Sequence, residues 1–497
     1  MPVSYNDYVA HVALRNPSLG ALSAFINQRP RKVHNSRILY AEVEQNGQIG
    51  LPQKTIANAL MMQLDSVPTN SILAVVEDIH QEDIEIFGSV LGINPFFFCG
   101  HIASSYRDIE KSASPPLLAL PPSQMVSREF LNIHYQKVID LGSEYDMGHA
   151  PYDLTLLSNI PRSIRRLPAL SGRSIGLVRG CTSVLKHDLP GGFWICLILV
   201  DPTADIVAHS ARDISGSYKS RISQVPRRIP SESSRELPSY AEFQKSDQTN
   251  VDPRGSAPCE ELLGLYGTFP PGWNNGKPSI ISLAYHPIQS VNREWMLYGS
   301  LMSRYIKYYE YSFSTVSSRL EHFERHDIVD LHRWRRRSQQ TLHKLQMVRL
   351  FIEYRHKRRG TLFPQSDSNG ETSQQDSSSW DLLLMDIHHL EDQINQHARS
   401  IETLNPIITT LVQLIDSHKS IAQAEDIRRL TYIAIAFVPL SYISGIFSMS
   451  DPYQPGGKSF WVYWVIAVPV AALIMGSLML ENRIAVLFRL CRRLARN

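Results

Sequence analysis

The chain has 497 residues, enough for two or three domains, and its 50 basic and 47 acidic side chains leave a net charge of only +3. So small a charge supplies no global field for nucleic acid, which we therefore exclude as a partner. The five cysteines include no CxxC pair, which argues against a zinc ribbon or a disulfide framework and fits a reducing compartment. The sequence also lacks HExxH, GxSxG, Walker and GxGxxG motifs, so we predict that the protein is not an enzyme.

The first part of the chain predicts a mixed α/β domain. After an N-terminal segment (1–36), short β-rich runs such as "SILAVVED" and "FWICLILVDP" alternate with helical ones, so residues 37–292 are assigned to one cytosolic domain. Within it, residues 203–258 turn to Ser, Pro, Arg, Asp and Gln and predict a flexible insertion. A long helix (293–360) and a second flexible segment (361–379) follow.

Residues 380–429 predict a stalk helix that continues into a membrane. Apolar residues recur there at spacings of three and four, which is typical of a helix that packs on other helices or on copies of itself. They are Leu383, Ile387, Leu390, Ile394, Ile401, Leu404, Ile408, Leu411 and Ile415. Pro406 removes one backbone hydrogen bond and predicts a kink. The basic run "HRWRRRSQQ" in the preceding helix is interpreted as a solvated face.

Two apolar stretches close the chain. Residues 430–447 and 460–480 contain no charge, and as helices they are about 27 and 31 Å long, near the ~30 Å of a bilayer core. Aromatic residues begin the second stretch, and basic residues flank the pair on the outside. We therefore predict two membrane spans joined by an outer loop (448–459), with the basic tail (481–497) and the N-terminus both cytosolic, and the plasma membrane rather than the mitochondrial inner membrane. The alternative is a pair of buried helices in a large globular core.

The membrane end resembles a known family. The segment "RRLTYIAIAFVPLSYISGIFSMSD", with Leu430–Thr431, the Phe437–Ser441 run and Gly445, resembles the CorA family of divalent-cation transporters. The segment Ser71–Ile102 resembles the fungal branch of that family, which is also related to the ZntB transporters. The resemblance implies an α+β membrane protein in which a cytosolic α/β domain feeds a long stalk helix into the first of two C-terminal spans. It also implies a homopentamer with a pore lined by that span.

One face of the first span is a candidate pore lining. Its members follow helical spacing and combine apolar residues, which gate by dewetting, with small hydroxyl-bearing ones. They are Ile427, Leu430, Ala434, Val438, Ser441, Gly445 and Ser448, and we call them the pore row. The alternative is that this face is an ordinary contact between helices.

The outer end of the row departs from the family signature. Where the family has Gly-Met-Asn, this chain has Ser448, Met449 and Ser450, followed by Asp451. A serine ring is a wider and weaker acceptor for hydrated Mg²⁺ than an asparagine ring, so Zn²⁺, Co²⁺ and Ni²⁺ stay open as the transported ion. The competing hypothesis is a non-conducting, membrane-anchored scaffold or interaction protein on the same fold.

We predict membrane lipid, further copies of the chain and a divalent cation as partners, and no tightly bound cofactor. The cation is either transported or regulatory. Candidates for an inner cation-sensing site lie along the stalk. They are Asp386, His389, Asp392 and Asp416.

Overall fold

The computed structural model describes residues 4–27, 35–65, 70–102, 122–143, 153–169, 172–204, 206–212, 218–224, 227–228, 257–273, 277–314, 325–362, 370–448, 459–473 and 476. The helices are α1 (Tyr5–Arg15), α2 (Gly20–Asn27), α3 (Ala57–Asp65), α4 (Gln81–Leu91), α5 (Pro95–Ile102), α6 (Pro122–Val126), α7 (Pro258–Leu265), α8 (Ile280–Ser314), α9 (Arg325–Leu362), α10 (Gly370–Ser448) and α11 (Trp461–Leu473). The strands are β1 (Arg37–Val43), β2 (Gln53–Thr55), β3 (Ser71–Glu77), β4 (Phe130–Ser143), β5 (Asp153–Leu156), β6 (Ser163–Arg166), β7 (Arg173–Asp188), β8 (Trp194–Val200), β9 (Ile206–Arg212), β10 (Tyr218–Gln224) and β11 (Arg227–Arg228).

The strands form a single mixed sheet in the order β10-β9-β5-β6-β7-β8-β3-β1-β2, with β4 on the other side of β7 and β11 paired to β4. Strands β3 and β8 are parallel neighbours, and every residue of both is buried. Their near-continuous apolar sequences follow from this, since both faces of such a strand are covered. On one face, α1 to α5 build the main core around Phe87, Phe97 and Phe98. The mixed α/β fold predicted from the sequence is confirmed.

The predicted flexible insertion at 203–258 is corrected over part of its length. Strands β9 and β10 pair as an antiparallel hairpin, and β9 extends the sheet by pairing with β5. Strand β11 pairs with β4, and helix α7 begins at Pro258. The polar composition of this segment predicts no strands, because strand pairing at a sheet edge rests on backbone hydrogen bonds and needs no apolar cluster. Apart from residues 203–204 and 257, the rest of the insertion lies outside the described ranges.

The long predicted helix at 293–360 is replaced by two helices. Helix α8 already begins at Ile280, and α9 begins at Arg325; residues 315–324 lie outside the described ranges. Pro287 falls inside α8 and leaves the carbonyl of Leu283 without its helical donor. The hydroxyl of Tyr266 donates a hydrogen bond to that carbonyl, so the helix continues through the proline.

The second predicted flexible segment, 361–379, is also shorter than expected. Helix α9 extends to Leu362 and α10 starts at Gly370, so much of the segment is helical. A solvated helical turn buries no apolar residue and leaves no periodic pattern in the sequence. Residues 363–369 lie outside the described ranges.

The first part of the stalk seam packs within the chain's own α8–α10 bundle. Leu383, Ile387, Leu390, Ile394 and Ile401 are all buried, with exposures of 3% or less. Helix α8 meets α10 where the rings of Tyr285 and Trp380 pack edge to face at 5.0 Å, and α9 meets it where Arg349 Nε donates to Glu391 Oε1 at 3.1 Å. The seam therefore forms an intramolecular core here.

The chain divides into two compact units, and the boundary falls inside α10 between Glu402 and Thr403. Pro406 lies just beyond it and leaves the Glu402 carbonyl without its helical donor. Helix α10 continues across this proline without a break in its helical assignment.

Candidate functional site

The pore row lies on one exposed face of α10. At 3.6 residues per turn its seven members fall within an arc of about 80° on the helix. Each of them is exposed, with 65% of Leu430 and 66% of Val438 accessible. The structure thus brings the predicted residues onto one surface that no described part of the chain covers.

The other faces of the same segment are also uncovered. Phe437 and Tyr442 are 66% and 71% exposed, and none of the most apolar window of α10 is buried. Exposed apolar surface costs about 25 cal/mol per Å² in water, so a continuous apolar cylinder is unfavourable there. Over the described residues, α10 is the one helix long and apolar enough to cross a membrane, judged by length and composition.

Within the pore row, the hydroxyl oxygen of Ser441 is available as a hydrogen-bond acceptor. Its hydroxyl donates to the carbonyl of Val438 at 2.8 Å, which uses its proton and leaves the oxygen lone pairs as acceptors. Pro439 removes the helical donor for the Ile435 carbonyl. Gly445 has open space where a Cβ would stand, so the single chain does not explain its small size.

The outer end of the site is described only in part. Helix α10 ends at Ser448, while Met449, Ser450 and Asp451 lie outside the described residues. The chain re-enters the description just before α11, whose Tyr463 packs edge to face against Phe447 of α10 at 5.9 Å. The end of α10 and the start of α11 therefore lie next to each other.

The second predicted span, 460–480, is described over α11 and at residue 476. The described part of α11 is too short by itself to cross a bilayer core of about 30 Å. Residues 474–475 and 477–480 and the predicted basic tail lie outside the described residues. The number of spans accordingly stays a prediction.

The candidate metal residues do not converge within the described part of the chain. Asp386, His389, Asp392 and Asp416 are all exposed along α10. Over the described ranges, no group of three or more His, Cys, Asp or Glu side chains could hold a metal ion. Any cation bound by these residues needs ligands from elsewhere.

A polar cluster that lies buried beside the parallel strands left no recognisable pattern in the sequence. Arg162 Nη2 donates to Asp201 Oδ1 at 2.7 Å, and the other oxygen of Asp201 accepts from the backbone of Cys181, also at 2.7 Å. His101 Nδ1 lies 3.0 Å from Ser183 Oγ. Burial lowers the pKa of His101 to about 3 and raises the pKa of Cys181 to about 12.

This cluster therefore holds a neutral imidazole and an unionised thiol, neither of which reaches solvent. Such an arrangement ties the end of β8 to α5 and offers no nucleophile to a substrate. Its members are far apart in the sequence, so no local motif indicates that they form a cluster.

Comparison with known proteins finds a family similarity at the membrane end of the chain. A model of the family "CorA-like Mg²⁺ transporter protein" matches residues 302–481. Residues 302–481 are thus similar to the CorA-like Mg²⁺ transporter family. The matched part contains α9, α10 with its pore row, and α11.

Individual relatives are more distant. The chain is 34% identical over 85 residues to the cobalt/magnesium transport protein CorA of Thermotoga maritima. The aligned segment is 17% of this chain and 23% of that protein. The chain thus spans about a quarter of this curated relative. Among solved structures, the CorA magnesium transporter of Methanocaldococcus jannaschii aligns over 89% of this chain and 96% of its own, with a TM-score of 0.33 and 13% identity. The full-length CmaX protein aligns over 90% of this chain and 98% of its own, with a TM-score of 0.29 and 13% identity.

Proposed function

We propose that the protein is a passive divalent-cation channel in which several copies, most simply five, place their pore rows around a common axis. The observation that carries the proposal is the exposed pore row inside a segment that matches a model of a transporter family. Both termini lie on the cytosolic side, and the plasma membrane is the expected location.

The physical argument starts from the uncovered surface of α10. A bilayer supplies apolar surroundings for Phe437 and Tyr442, but Ser441, Gly445 and Ser448 gain nothing from lipid. Copies of the chain arranged around an axis place these small residues toward water and close the gap that Gly445 leaves. Leu430 and Val438 then form apolar rings that gate by dewetting.

The outer mouth sets the selectivity in this proposal. Ser448 and Ser450 present short hydroxyl oxygens in place of the family's glycine and carboxamide, and a ring of Asp451 concentrates cations above them. Mg²⁺ sheds its water reluctantly and needs acceptors placed for its hydrated radius. We therefore expect weaker discrimination between Mg²⁺ and Zn²⁺, Co²⁺ or Ni²⁺. Asp386, His389 and Asp392 are proposed to sense the cation between neighbouring copies.

A second candidate function is a non-conducting scaffold, favoured by the same departure from Gly-Met-Asn. In that case the membrane anchor and the assembly persist, but no ion passes. The two functions differ in one observable, which is flux through the wild-type protein.

Cation flux into proteoliposomes that contain the purified chain separates them. Mg²⁺, Zn²⁺, Co²⁺ and Ni²⁺ are tested in parallel with the wild type, the double variant Ser448→Gly/Ser450→Asn and the matched control Ser444→Asn. A channel gives wild-type flux whose selectivity moves toward Mg²⁺ in the double variant and stays unchanged in the control. If the wild type shows no cation flux while the double variant conducts, the result supports the scaffold function and contradicts the channel function.

A further inference from the structure

The outer end of α10 is built from residues that favour a helix only weakly. Its last five residues read "SGIFS", and each of these residue types has a lower helix propensity than alanine, with glycine the lowest. The helix ends at Ser448, and the last carbonyl groups of any helix lack a partner within it. Contacts from outside α10 therefore decide how firmly this last turn is held.

Three aromatic rings, which we call the aromatic trio, supply such contacts. Tyr463 of α11 packs edge to face against Phe447, with 5.9 Å between the ring centroids and 79° between the ring planes. The ring of Tyr463 also stacks on Phe460, in the turn that precedes α11, at 5.8 Å and 10°. The backbone N–H of Tyr463 donates to the carbonyl of Phe460 at 3.2 Å. The trio joins the end of α10 to the start of α11 within one of the two compact units.

Phe447 lies on a different face of α10 from the pore row. At 3.6 residues per turn, it is about 140° around the helix from the middle of the row. Phe447 and Ile443, one turn before it, are half-buried, whereas every member of the row is exposed. On α11, Ala467 follows Tyr463 by one turn and is 3% exposed. The trio therefore supports α10 from a covered side and leaves the pore row open.

We propose that Tyr463 is a positioning residue for cation selectivity, an inference that rests on the proposed channel function. By packing on Phe447 and Phe460, Tyr463 holds the last turn of α10, so that the hydroxyl of Ser448 stays at the outer end of the pore row. In a ring of copies, the position of this hydroxyl sets the width of the outermost acceptor ring. Discrimination between hydrated Mg²⁺ and cations that release water more readily depends on that width.

Flux of Mg²⁺ and Co²⁺ into proteoliposomes that contain the full chain tests this role. Tyr463→Leu and Phe447→Leu each remove one ring but keep an apolar side chain. We expect the ratio of Mg²⁺ to Co²⁺ flux to change about two- to tenfold in either variant, the range that the loss of one aromatic pair supports. Because both changes break the same contact, the double variant alters the ratio no more than either single variant does.

Two controls keep this ratio at the wild-type value. Tyr463→Phe retains the ring, and Trp461→Leu removes an aromatic side chain that is 64% exposed on the same helix. An unchanged ratio in Tyr463→Leu, or a lower total flux at the same ratio, overturns the inference and leaves the channel in place. An equal change in Trp461→Leu also overturns it, because the effect then belongs to α11 as a whole.

A nitroxide attached at Ser448→Cys gives a readout that needs no flux. In the full chain in detergent, we expect its spectrum to show greater mobility when Tyr463→Leu is added, because the last turn of α10 loses its support. Tyr463→Phe and Trp461→Leu leave the spectrum unchanged. Unchanged mobility in Tyr463→Leu beside normal wild-type flux overturns only this inference. A wild type that conducts no cation overturns the channel and the selectivity role together.

Discussion

Replacing Arg162 by methionine tests the buried ion pair that links the sheet to α5. Arg162 is 0% exposed and Asp201 is 5% exposed. The arginine donates to Asp201 from Nε at 3.0 Å and from Nη2 at 2.7 Å, and it donates to the carbonyl of His101 at 2.8 Å. Methionine fills similar volume but leaves the carboxylate without the arginine's two hydrogen bonds, while the backbone N–H of Cys181 still donates to it.

Removal of one partner from a buried pair typically costs about 3–5 kcal/mol, because the remaining charge is left uncompensated. We expect Arg162→Met to lower the free energy of unfolding by about that amount, a large part of the 5–15 kcal/mol that is typical for a folded domain. Arg162→Met/Asp201→Leu removes both charges and recovers much of the loss.

The assay is denaturant unfolding of the full chain in detergent, followed by tryptophan fluorescence. Asp188→Asn is the control, because the pair between Lys186 Nζ and Asp188 Oδ1 at 2.6 Å involves an acid that is 76% exposed. Exposed pairs contribute about 1 kcal/mol or less. A loss in Arg162→Met no larger than in this control refutes the reasoning.

Two further predictions concern single side chains. Burial raises the pKa of Asp78 to about 7, so the folded state binds a proton that the unfolded state releases, and this contribution to stability is lost as pH rises through 7. Asp78→Asn should therefore be more stable than the wild type at pH 8 and lose that advantage toward pH 4, as measured by thermal unfolding across pH. Tyr266→Phe should lower the free energy of unfolding by about 1–3 kcal/mol, because the Leu283 carbonyl loses its donor. Tyr266→Phe combined with Pro287→Ala should recover part of this, measured by urea unfolding.

The parts of the fold that the sequence predicted are those whose pattern is local. Strands β3 and β8 are buried on both faces and therefore read as continuous apolar runs. The stalk seam shows a heptad pattern because one side of α10 packs on α8 and α9. The edge hairpin β9–β10 was missed because its stabilising hydrogen bonds come from the backbone and carry no apolar signature.

Contacts between polar residues that are far apart in the sequence could not be predicted either. Arg162 and Asp201 are held together by the sheet, and neither lies in a motif that predicts the other. The basic run around Arg337 is interpreted as a solvated face, since the sequence does not show which of its cations the fold partly buries. Of the candidate site, the exposure of the pore row is observed, and its role in conduction stays a prediction.

The most direct test of the central claim is a cysteine scan of α10 in flux-competent proteoliposomes. Single cysteines replace Leu430, Val438 or Ser441 on the pore row, and Ile443 or Ile446 away from it. We predict that a charged methanethiosulfonate reagent blocks divalent-cation flux in the row variants and leaves the other two and the wild type conducting. Equal block on both faces, or no block on the row while flux persists, contradicts a pore lined by these residues.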